Sequence, residues 1–73
     1  MGSIIRLDLH GIRHQDVDIL VENFVLMNQN HFPLTIICGN SVKMIQLVEN
    51  TINRIGCEAS MIRHGFIVVH RIK

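Results

Sequence analysis

Two short stretches carry residues whose types and spacing could do chemistry on a phosphate. In Leu7-Asp8-Leu9-His10-Gly11, apolar and polar residues alternate as in a strand with two unlike faces, and the run stops at a glycine. Ile5, Leu7 and Leu9 then share the face that packs against helices, while Arg6, Asp8 and His10 share the other. A carboxylate and an imidazole placed together at a strand end are the parts of a general base, with the carboxylate orienting the ring. The plainer use of the same pair is an Asp8 that fixes the turn and a His10 on its rim. The second stretch is Gly39-Asn40-Ser41, just before a helix. Glycine leaves backbone N–H groups unobstructed and a helix N-terminus carries about half a positive charge, so the triplet can seat one phosphate. Its commoner use is a turn followed by an N-cap.

The elements that must position these residues follow from periodicity. Ile4 to Leu9 reads as the first strand. From about His14 to Asn28, Val17, Leu20, Val21 and Phe24 recur at helical spacing, and Asp16, Asp18 and Glu22 suit the positive end of the helix dipole. Arg13 falls at the cap position although it is a poor capper, and Pro33 closes the segment that ends the helix. Leu34 to Cys38 is a nearly all-apolar run expected to be a strand covered on both faces or nearly so. Ser41 caps a second helix whose stripe is Ile45, Val48, Ile52 and Ile55, ending at Gly56. Cys57 to Ile62 and Phe66 to Ile72 read as strands, and the short Arg63-His64-Gly65 connection makes them antiparallel. The order is βαβαββ, one two-layer α/β domain over residues 1–73.

Topology then gathers the chemistry. Parallel strands joined through a helix cross over right-handedly, so the carboxyl ends of the first two strands open onto one edge, where ligands of open α/β sheets favour binding. That edge collects Asp8, His10, Gly11, Arg13 and His14 from the first loop, and Cys38, Gly39, Asn40, Ser41 and Lys43 from the second.

Composition limits what the edge can serve. The chain has 73 residues, of which 48% are hydrophobic, enough for a folded domain but only a small core, which dimerisation would help. Seven Lys and Arg against six Asp and Glu give a formal net charge of +1, so affinity for nucleic acid must come from a local site. Aromatics are 4% of the chain and all are Phe, so base stacking is not expected to dominate recognition. Five histidines mean that mild acidification makes the surface more basic. Cys38 and Cys57 lack paired spacing and read as free thiols of a reducing, cytoplasmic compartment. The apolar runs are too short for a membrane span or a signal segment.

The Leu-Asp-Leu-His-Gly string, followed by helix, strand, glycine turn and helix, resembles the signature of the small MutS-related (Smr) domain. In that family the first motif is Leu-Asp-x-His, matched by Leu7 to His10, and the second is His-Gly-x-Gly or Thr-Gly-x-Gly. Cys38-Gly39-Asn40-Ser41 keeps one of its glycines. The resemblance spans Leu7 to Ile72. It implies a mixed four-stranded sheet with two helices on one face, as in the C-terminal domain of bacterial translation initiation factor 3. It also implies binding of structured or branched DNA or RNA and, in many members, endonuclease activity without a required cofactor. The altered second motif weighs against catalysis more than against fold or binding.

Three functions compete on these residues. In an endonuclease, Asp8 orients His10 as base for water or a ribose 2′-hydroxyl, while the Gly39 to Ser41 amides hold the phosphate. In a binding module, Arg13, Lys43 and the same seat grip backbone phosphates without turnover. A metal site from His10, His14 and Cys38 is the weakest, because the ligands come from two loops at irregular spacing. His31, His64 and His70 read as solvated loop, turn and strand-end residues. Met1, Met27, Met44 and Met61 read as packing residues.

Overall fold

The computed structural model describes residues 5–73. Four strands and two helices follow one another as β1 (Arg6–Asp8), α1 (His14–Met27), β2 (Leu34–Ile37), α2 (Val42–Ile55), β3 (Cys57–Arg63) and β4 (Phe66–Ile72), with a 3₁₀ turn at Gln29–His31 before β2. The sheet order is β1-β2-β4-β3: β1 and β2 are parallel, and β4 is antiparallel to both β2 and β3. This is the two-layer α/β arrangement with a mixed sheet that the element order implied.

One face of the sheet makes the core. Leu9, Leu34, Ile36, Ile67 and Val69 are buried against Val17, Val21 and Val25 of α1 and Ile45, Val48 and Ile52 of α2. In α1 the deepest stripe is the i, i+4, i+8 row of valines, so Val25 joins it while Leu20 and Phe24 stay half-buried at its flank. Strand bounds shift slightly. Regular pairing in β1 starts at Arg6, although the Thr35 N–H still donates to the Ile5 carbonyl and the Leu9 N–H to the Ile37 carbonyl. Ile4, expected in this strand, lies outside the described residues. β3 runs one residue further than expected, to Arg63.

The expectation that β2 is covered on both faces or nearly so holds in full for one face only. Both helices lie on one side, so Leu34 and Ile36 are buried while Thr35 and Ile37 are only half-buried. The methionines also divide: Met44 is in the core, whereas Met27 is 81% exposed and Met61 39% exposed.

Helix ends follow local chemistry. Arg13 is the N-cap of α1 and makes no side-chain capping bond, whereas the Ser41 hydroxyl accepts the Met44 N–H at the start of α2. Gly56 ends α2 with φ of 77°, a conformation that only a residue without Cβ adopts cheaply. The two helices are also joined by polar groups. Thr51, 1% exposed, donates from Oγ1 to Asp18 Oδ1 at 2.6 Å, and Arg54 reaches both Asp18 at 2.8 Å and Glu22 at 2.9 Å. The Thr51 bond chiefly, with Arg54, lowers the Asp18 pKa.

Candidate functional site

The parallel pair β1–β2 brings the two loops together. Asp8 pairs with Ile37, and one residue further the Leu9 N–H donates to the Ile37 carbonyl at 3.0 Å. The chain then turns sharply: the Ile12 N–H donates to the Leu9 carbonyl, with Gly11 at φ of 79°. Inside this turn Asp8 Oδ1 accepts the backbone N–H of His10 at 2.9 Å. The carboxylate therefore holds the loop through the main chain of His10, an Asx turn of the plainer kind. Both side chains are exposed, and Arg13 and His14 follow at the start of α1.

In the second loop Ser41 Oγ takes the Met44 N–H at 3.1 Å and its carbonyl takes the Ile45 N–H at 3.0 Å. The amides of Val42 and Lys43 are left without an acceptor among the described residues. Gly39, at φ of 72°, Asn40, Ser41 and Lys43 are all exposed.

Cys38 departs from its expected place in this seat. It is 6% exposed and belongs to the core cluster. Burial, with a smaller contribution from the Glu49 carboxylate, pushes its thiol up to about 11. The side chain is a neutral packing group, and only its backbone serves the loop. Cys57 is likewise buried, and its thiol is pushed up by desolvation.

A third segment joins the edge that sequence reasoning left out. Because β4 runs antiparallel to β2, Ile37 pairs with Phe66, and the turn before Phe66 lies beside the end of β2. The Cys38 N–H donates to the Gly65 carbonyl at 2.7 Å. Gly65, at φ of 84°, presses so closely on Gly39 that a Cβ there would run into the Gly39 carbonyl oxygen. This brings the Arg63-His64-Gly65 turn, with exposed Arg63 and His64, to the same edge. Knowing the strand order would have revealed it, since the start of any strand antiparallel to β2 must lie there.

The edge is thus cationic. Arg13, Lys43 and Arg63 are exposed, and the ion pairs among the described residues involve only Arg54 and Arg71 as cations. Asp8 and Asp16 are the nearby acids, and His10, His14 and His64 are exposed imidazoles. It is also open. A groove of about 520 Å³ lies elsewhere, between α2 and β3, lined by residues such as Gln46, Asn50, Ser60 and Lys73, and no edge residue contributes to it.

Among the described residues no three His, Cys, Asp or Glu side chains form a metal-holding group, so His10, His14 and Cys38 do not converge as ligands. Among the same residues no helix is long and apolar enough to cross a membrane. Compared with protein-family models, curated proteins and solved structures, the chain matches none.

Proposed function

We propose that this chain binds nucleic acid by gripping backbone phosphates at the edge formed by the β1–α1 loop, the β2–α2 loop and the β3–β4 turn. The observation that carries the reading is that the segments bearing Arg13, Lys43 and Arg63, none in an ion pair among the described residues, meet at one sheet edge that also offers the open amides of Val42 and Lys43. Cations and helix-start amides position a phosphate backbone without reading sequence. The resemblance of Leu7 to Gly11 to the Smr motif supports the same edge, and membership of that family is part of the proposal.

Binding without efficient cleavage is the better-supported form. A nuclease needs a base oriented toward its substrate, whereas Asp8 Oδ1 is engaged by the His10 main chain and the Cys38 thiol lies in the core.

The test is fluorescence anisotropy with a labelled duplex, a branched junction and a structured RNA, followed by denaturing gels of the same mixtures. Saturable binding that the combined variant Arg13→Gln, Lys43→Gln, Arg63→Gln abolishes, with intact strands on the gel, supports a binding module. New ends that disappear in His10→Ala would establish the endonuclease reading instead. No binding to any of the three probes would remove the proposal.

A further inference from the structure

We infer that the sheet face opposite the helices is a second contact surface, on which the bases of a single-stranded nucleic acid lie while its phosphates reach the cationic edge. The inference rests on the backbone-binding reading above and names the form of nucleic acid that the site takes.

The first observation is apolar surface where a solvated sheet face should be polar. In an antiparallel sheet with one covered face, residues on the other face alternate as polar positions. Here the two central strands instead put Ile37, Phe66 and Val68 there, all half-buried, with Ile37 paired directly to Phe66. Neither helix covers this face, since both pack on the side of Ile36, Ile67 and Val69.

The second observation is the charge around that apolar row. Arg63 lies opposite Phe66 in the β3–β4 ladder, and its guanidinium sits over the Phe66 ring, 4.1 Å from the centroid. Arg6, on β1, pairs with Thr35 and is exposed. Of the acids in these rows, Glu58 pairs with Arg71 at 3.3 Å, while Asp8, opposite Ile37, takes the His10 N–H and keeps its charge beside Arg6 on the same strand. What remains is an apolar strip whose aromatic ring lies under the Arg63 guanidinium, with Arg6 and Arg63 in no ion pair among the described residues, complementary to a ligand that is flat, apolar on its faces and anionic along its backbone.

An unpaired base meets that description. Every base has a π-face that stacks on aromatic rings and on Arg guanidinium planes. A duplex keeps its π-faces inside the helix and offers only its phosphates to the edge. Arg63 belongs to both surfaces, so one strand can pass from the edge onto the face without leaving the protein. With a single ring present, the gain is that of about one stacked base and not of a continuous platform.

The experiment compares a short labelled single strand, the blunt duplex of the same sequence and the single strand with abasic sites, using the wild type, Phe66→Leu and Ser60→Glu. Ser60 is exposed, lies opposite Val68 and bonds to His70 at 2.8 Å, so its replacement tests the face without disturbing the core should Phe66→Leu unfold. Melts followed by circular dichroism establish which variants are folded. The expected result is a preference of at least about fivefold for the single strand over both the duplex and the abasic strand, lost in each folded variant while duplex affinity is unchanged. Equal affinity for single strand and duplex, or variants that weaken both alike, would overturn the inference and leave the edge reading standing. Binding to none of the three would overturn both.

Discussion

Asp8 Oδ1 accepts the main-chain N–H of His10 at 2.9 Å, so the residue that a catalytic reading would assign to orienting an imidazole instead fixes the turn that carries it. Asn has a side-chain oxygen in the same place and Ala has none. Asp8→Asn is therefore expected to melt like the wild type. Asp8→Ala loses an exposed hydrogen bond and is expected to cost no more than about 1 kcal/mol. If Asp8→Asn melts as low as Asp8→Ala, the negative charge and not the turn is what the position requires.

The contact of Gly65 with Gly39 makes a sharper demand. Gly65 has φ of 84°, and an added Cβ would meet the Gly39 carbonyl, so both backbone strain and steric overlap oppose any side chain. Gly65→Ala should destabilise by at least about 2 kcal/mol, a drop of roughly 10 °C in melting temperature for a domain of this size. Gly11 also has positive φ but has open space around its Cβ position, so Gly11→Ala should cost less. Equal losses in the two variants would remove the close approach of the turn to β2 as a structural constraint.

How far the sequence reveals this site depends on which interactions are local. The β1 alternation, the Ser41 cap and the Gly56 end of α2 are set by a few neighbouring residues and could be read directly. The sheet order could not, because pairing β4 with β2 is a contact between distant segments. Without it, nothing in the sequence brings the Arg63-His64-Gly65 connection to this edge. The burial of Cys38 was hidden for a different reason: its neighbour Gly39 is exposed, and one residue at a strand end turns the chain from core to surface. Which face of β2 would be covered was likewise undecided by its apolar run, since Ile36 and Ile37 place the same side chain on its two faces.

Cys38 offers a chemical test of that burial. Its thiol titrates at about 11 in the fold against 9.0 ordinarily, so the folded state holds a proton that the unfolded chain releases. Its contribution to stability is complete below about pH 9 and is lost as pH rises toward 11. Cys38→Ala should flatten this alkaline loss of stability, at the cost of a small cavity. Cys38→His must place a larger, polar ring in the core and should destabilise by at least about 2 kcal/mol. A Cys38→His variant as stable as the wild type would place the side chain at the surface.

The Thr51–Asp18–Arg54 clasp predicts a titration shift. Asp18 is held below the ordinary carboxylate range first by the Thr51 hydroxyl and then by Arg54. A depressed carboxylate contributes stability above its unfolded pKa and loses it as pH falls through the folded one. In Thr51→Val, NMR titration of Asp18 should move upward, toward the ordinary value. An unchanged titration would assign the shift to Arg54 alone.

The salt dependence of binding tests the central claim most directly. If Arg13, Lys43 and Arg63 each engage a phosphate, about three counterions are released. A plot of log K against log salt should then have a slope near −3 on duplex and near −2 on single strands. Removing any one of the three by Gln should reduce the slope by about one unit on duplex. A slope that is near zero, or that all three substitutions leave unchanged, would contradict the assignment of this edge as the surface that holds nucleic acid.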